Sequence, residues 1–123
     1  MAIGRKIIST RFPYIPVQVF VSENIYKLEA LIDTGFDGQV ILPPSLVANG
    51  QLPKRFVICK LADNSIVEML AHRGSIKLGG KKLKDVLVII MGDEPIIGRE
   101  VIKHFKITLE YGRKIILDNV ILD

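Results

Sequence analysis

The sequence predicts an all-β domain, and three observations carry that reading. Apolar and polar residues alternate with a period of two through several windows, turn-forming residues separate those windows at short intervals, and only brief stretches have helical spacing. With 123 residues, 49% of them hydrophobic, the chain is expected to form one domain over residues 1–123 with a core of its own.

Each element follows from its residues. Tyr14 to Val21 (YIPVQVFV) and Ile25 to Ile32 (IYKLEALI) alternate on either side of Ser22-Glu23-Asn24, which predicts a hairpin. The second of these strands runs straight into Asp33, and Val40-Ile41-Leu42 resumes as a strand. Pro43-Pro44-Ser45 opens a short helical turn through Ala48 that Asn49-Gly50 stops. The β pattern returns from Phe56 to Leu70 and breaks at Asp63-Asn64-Ser65, where Asn and Asp tolerate the left-handed backbone of a tight turn. A third hairpin joins RGSIKL (73–78) to DVLVIIM (85–91) around Gly79-Gly80. Ile97, Val101, Ile102 and Phe105 have the spacing of one helix face, so a short helix is expected from about Glu100 to Phe105, with Gly98 before it. KITLEY (106–111) and KIILD (114–118) close the chain as strands around Gly112-Arg113, and the final DNVILD pairs either within the chain or with a second copy.

Composition removes several classes of function. Apolar runs such as Val86 to Met91 fall well short of the roughly 18 residues a spanning helix needs, so no membrane crossing is expected. The N-terminal segment has two basic residues but no long apolar stretch before a small-residue cleavage site, which predicts a cytoplasmic protein. Cys59 is the only cysteine, so intrachain disulfides and a cysteine-rich metal site are excluded, and its alternating neighbourhood assigns it to the core. His72 and His104 lack metal-ligand spacing and are expected on the surface or on a helix face, so neither a metal nor an organic cofactor is called for. The net charge of +4 is scattered, with its densest patch at KLGGKKLK (77–84). That patch has neither the spacing nor the following helix of a phosphate cradle and reads as a solvated turn, which argues against nucleic-acid binding.

What remains is Asp33. An acid at the end of an apolar strand is costly to bury unless hydrogen bonds hold it, and Thr34 and Gly35 supply them: a hydroxyl that donates or accepts, and a backbone free to approach the carboxylate. On its own Asp33-Thr34-Gly35 also fits a turn in which the acid bonds its own backbone.

The chain as a whole resembles the retroviral-type aspartic proteases, the retropepsin-like group. A strand, then Asp33-Thr34-Gly35, then a loop returning to Val40-Ile41-Leu42 is similar to that family's catalytic loop, and Pro95-Ile96-Ile97-Gly98-Arg99 before a short helix is similar to its second signature. The similarity spans roughly residues 14 to 118 and looks most like the small bacterial and archaeal members, in which an aromatic follows Asp-Thr-Gly. The resemblance implies the acid-protease half-barrel of hairpins with one or two short helices, and an aspartic endopeptidase hydrolysing peptide bonds in extended, largely apolar segments of a peptide or protein substrate. In such enzymes two carboxylates share one proton, one activating water and the other donating to the scissile carbonyl. This chain has a single Asp-Thr-Gly, so the resemblance implies a homodimer with one Asp33 from each subunit on a two-fold axis.

The resemblance also distributes roles. Asp33 is the acid or base, Thr34 bonds across the interface, and Gly35 brings backbone close to carboxylate and substrate. Phe36, Asp37 and Gly38 line the substrate, with Asp37 gripping its backbone and Arg99, next to Gly98, pairing with that acid through a planar guanidinium. The hairpin bearing Leu61, Ala62, Asp63 and Asn64 corresponds to the flap that covers substrate. Retroviral flaps are glycine-rich, whereas Val57 to Arg73 holds no glycine, and Phe36 stands where viral enzymes carry a small residue. These departures motivate the alternative, a non-catalytic dimeric module that grips a peptide by strand addition.

Overall fold

The computed structural model describes residues 2–47, 56–60 and 63–122. Among them the strands run β1 (Ala2–Ser9), β2 (Tyr14–Val21), β3 (Asn24–Ile32), β4 (Val40–Leu42), β5 (Phe56–Lys60), β6 (Ile66–Leu78), β7 (Lys81–Ile90), β8 (Ile96–Ile97), β9 (Ile107–Glu110) and β10 (Lys114–Leu122). The helical elements among these residues are a 3-10 turn at Pro44–Leu46 and a four-residue helix, α1 (Arg99–Ile102). The expected all-β class therefore holds.

Turn chemistry sets the hairpins. Ser22 and Asn64 adopt positive φ, and Gly79-Gly80 forms a two-residue turn that leaves Leu78 opposite Lys81. The second and third hairpins share β6, whose thirteen residues pair with β5 and then β2 along one edge and with β7 along the other. Neighbours run β2-β3-β8-β4-β7-β6, and β6 returns to β2, so the sheet closes into a barrel with β5 outside it.

Alternation divides the side chains into two apolar sets. Ile15, Val19, Leu42, Ile76, Val88 and Ile97 are fully buried in the main core. Ile41, Ala71 and Ile89, which sit one residue out of phase on β4, β6 and β7, form a second cluster with Phe36, Met69, Leu87, Met91 and Ile96 around it.

Barrel closure depends on Gly74, which faces Val21 at the β2–β6 seam. A Cβ there would collide with the backbone oxygen of Phe20. Gly74→Ala is therefore expected to part the seam and lower stability by about 1–3 kcal/mol, read as a lower urea midpoint with little change in slope.

Two expectations need correction, the extent of the helix and the placing of His72, and two segments left open by the sequence take a definite place. The N-terminal segment, read above only as lacking a leader, is strand β1, paired antiparallel with β10; register shifts at Gly4/Lys6 and Ile7/Ser9 break the period-two pattern that would have revealed it. That pairing, with β9 on the other side of β10, keeps the final strand within its own chain. The helix spans Arg99–Ile102 and then tightens, with the amides of His104 and Phe105 donating three residues back to Val101 and Ile102. His72 is buried, at 6% exposure in β6 opposite Val88, because it lies inside a long strand flanked by β7. His104 is exposed just after α1, as expected. The stop at Asn49-Gly50 and the side chain of Cys59 lie outside the described residues.

Candidate active site

Two residues of β8 create the site. Ile96 and Ile97 pair in parallel with Leu31 and Ile32 of β3 and antiparallel with Ile41 and Val40 of β4. The loop from Asp33 to Gln39 is therefore expelled from between two strands that β8 holds apart.

Backbone hydrogen bonds then tie that loop to the segment after β8. The Asp33 amide donates to Ile97 O at 3.1 Å, Gly98 N to Gln39 O at 2.9 Å, Arg99 N to Phe36 O at 2.9 Å and Glu100 N to Gly38 O at 3.1 Å. The two sequence signatures are thus one hydrogen-bonded unit. Within the loop the Gly35 amide donates to Asp33 Oδ1 at 2.9 Å and the Phe36 amide to Asp33 O at 3.3 Å. The Gln39 side-chain oxygen accepts from the Leu87 amide and fixes the far end of the loop to β7.

Phe36 occupies the middle of this unit. Its ring lies against both Gly38 and Gly98, where an added Cβ would meet ring atoms. The aromatic that follows Asp-Thr-Gly is held between glycines and joins the second apolar cluster.

A cleft of about 710 Å³ opens over the loop. Gly35, Phe36, Asp37 and Gly38 form one wall, Ile41, Ile89 and Met91 the floor, and Met69, Lys60 and Asn64 the wall contributed by the β5–β6 hairpin. Arg99 also lines it. Asp33 and Thr34 are not among the residues that line it: Asp33 is half-buried and joined to the cleft wall through the Gly35 amide, and Thr34 is exposed with no hydrogen bond from its hydroxyl among the described residues. Asp37 and Arg99 reach the same cleft, but the ion pairs of the described residues do not include one between them. The resemblance expected that pair. Leu61 and Ala62 lie outside the described residues, while Asp63 and Asn64 sit at the hairpin turn.

Sequence reasoning missed the cleft floor and Lys60. Residues 86–91 are apolar without interruption, so the strand is apolar on both faces; Val86, Val88 and Ile90 face the core, leaving Leu87, Ile89 and Met91 a second surface. That signal was present in the sequence.

The hairpin turn is set by one carboxylate. Asp63 Oδ1 accepts from the Ser65 hydroxyl at 2.5 Å and from the Ser65 amide at 2.9 Å, and these bonds hold the Asp63 carboxyl below its ordinary value. A carboxyl lowered in the folded state stabilises the turn above its unfolded pKa and loses that contribution as pH falls through the folded one. Ser65→Ala is expected to raise the Asp63 pKa towards the ordinary value in a side-chain NMR titration; an unchanged value would mean the hydroxyl bond is absent.

No protein-family model and no curated protein matches the sequence. Among solved structures the chain is similar to the crystal structure of a retropepsin-like aspartic protease from Rickettsia conorii, with a TM-score of 0.65, 17% identical residues, and coverage of 96% of this chain and 92% of that one. The chain has the retropepsin-like fold.

Proposed function

We propose that the protein is a homodimeric aspartic endopeptidase in which Asp33 of each subunit contributes one carboxylate to a shared site. The observation that carries this reading is Asp33 itself, half-buried and bonded to the amide of Gly35 at the wall of an open cleft, on a loop tied at several points to the start of α1. One chain supplies one such acid, while general acid and general base must act together on water and the scissile carbonyl. A second copy related by two-fold symmetry supplies the partner. The exposed Thr34 hydroxyl, without a hydrogen-bond partner among the described residues, is available to bond across that axis.

The cleft also supports an extended peptide as substrate. Its floor of Ile41, Ile89 and Met91 accepts an apolar side chain, the carbonyl of the exposed Gly35 can bond a peptide main chain, and the β5–β6 hairpin covers it from the other side. Asp37, in the cleft wall, then holds the substrate backbone.

The test is mass-spectrometric detection of cleavage in a diverse peptide pool between about pH 3 and 7, comparing the protein with Asp33→Asn. Cutting that disappears in the variant supports the proposal. An intact dimer that cuts nothing, in either form, overturns it in favour of a peptide-binding module.

A further inference from the structure

The most basic stretch of the sequence takes on a specific arrangement once strand register is known. Lys27 of β3 lies opposite Gln18 of β2, Gln18 opposite Lys77 of β6, and Lys77 opposite Lys82 of β7. Directly opposed residues project from the same face of a sheet, so these side chains form one row across four strands, three of them lysines and all three exposed.

Like charges placed opposite each other oppose folding, and nothing in the row offsets them. The ion pairs among the described residues employ Arg5, Arg11, Lys103 and Lys106, and none involves this row. Glu29, two residues along β3 from Lys27, is held by Arg11 at 2.7 Å. Lys82 lies over the Phe20 ring, 4.1 Å from its centre. Among the described residues neither Lys27 nor Lys77 has an ion-pair partner. Between them lies a cavity of about 230 Å³, with the apolar Pro16, Val17 and Leu28 in its lining and the two lysines, Gln18 and the Gly79-Gly80 turn around them, and separate from the substrate cleft.

We propose that this cavity binds an oxyanion of the phosphate class, held by the Lys27 and Lys77 ammonium groups with the Gln18 amide donating between them. A phosphate monoester carries a charge of about −1.5 to −2 at neutral pH, which matches two ammonium groups where a carboxylate would match one. Lys27 and Lys77 flank β2, which puts their Cα atoms about 10 Å apart, and two long flexible stems converge across that gap on a tetrahedral ion. The volume is below the roughly 300 Å³ at which drug-sized pockets begin, so it suits one charged group and leaves the rest of a larger ligand outside.

The experiment is thermal melting at low ionic strength with millimolar inorganic phosphate, set against sodium chloride at equal ionic strength. Phosphate is expected to raise the midpoint by several degrees more than chloride, as a ligand of the native state does. That excess should vanish in Lys27→Gln and in Lys77→Gln and persist in Lys84→Gln, whose position is outside the cavity. Lys77→Gln should melt no lower than the parent without phosphate, because it removes the charge facing Lys82. An equal response to chloride, an undiminished phosphate response in both cavity variants, or acetate acting as strongly as phosphate would each overturn the assignment. Glycerol 3-phosphate separates the sources: a response to it identifies an esterified phosphate as the ligand, and a response to inorganic phosphate alone identifies the free ion. None of these readouts depends on the substrate cleft.

Discussion

Gly98→Ala should lower stability by about 3–5 kcal/mol and abolish whatever the cleft does, an effect at the upper end for a single added methyl group. The backbone at Gly98 is ordinary extended chain, φ −103° and ψ −174°, which any residue adopts, so the loss comes from space alone. A Cβ there would stand 2.5 Å from the Gly38 carbonyl oxygen, 2.5 Å from Phe36 Cδ2 and 2.7 Å from the Phe36 carbonyl oxygen. A ring can rotate away, but these two oxygens are fixed because they accept from the amides of Glu100 and Arg99. Relief therefore requires breaking those bonds and moving the Asp33 loop off the start of α1. Urea denaturation of Gly98→Ala in the parent and in a Phe36→Ala background separates the contributions, since only the ring clash is removed in the second. Partial recovery is expected. A loss below about 1 kcal/mol in the parent would mean that the loop and α1 are not packed as described.

This packing marks the boundary of what the sequence reveals. The hairpins were legible because their turns declare themselves: Asn64 and Gly79-Gly80 take the backbone conformations their residue types favour. Asp33 stands out because a carboxylate directly after an apolar strand needs hydrogen bonds, and the Gly35 amide supplies one, as a turn-forming Asp would also have it. β1 was hidden by its own bulges, which displace the alternation that marks a strand. The Lys27–Gln18–Lys77–Lys82 row was beyond reach for a different reason. Its directly opposed neighbours lie up to 59 positions apart, in Gln18 and Lys77, and are joined through a register that only the closed barrel defines. Asp37 and Arg99 illustrate the same limit in reverse. Their residue types invite an ion pair, yet side-chain reach and loop geometry decide the contact, and in this chain each faces the cleft without pairing to the other.

If Asp33 works as half of a shared pair, Asp33→Asn should reduce cleavage by about a thousandfold while leaving the fold intact, because the amide keeps the shape of the side chain but neither takes nor gives the proton. The loss by itself does not separate a shared site from a site complete in each chain. Mixing does. When equal amounts of parent and variant subunits exchange freely, about a quarter of the dimers carry two acids, half carry one and a quarter carry none. With a shared site only the first class cuts, so activity should fall to about a quarter of that of the same total concentration of parent dimer. Independent subunits would instead retain about a half, since each parent chain would remain competent. Sedimentation of the mixture must give the same dimer fraction as the parent, so that the deficit reflects composition. A result near one half would remove the two-fold site while leaving single-chain chemistry at Asp33 standing; a result near one quarter requires each cut to draw on the carboxylates of two chains.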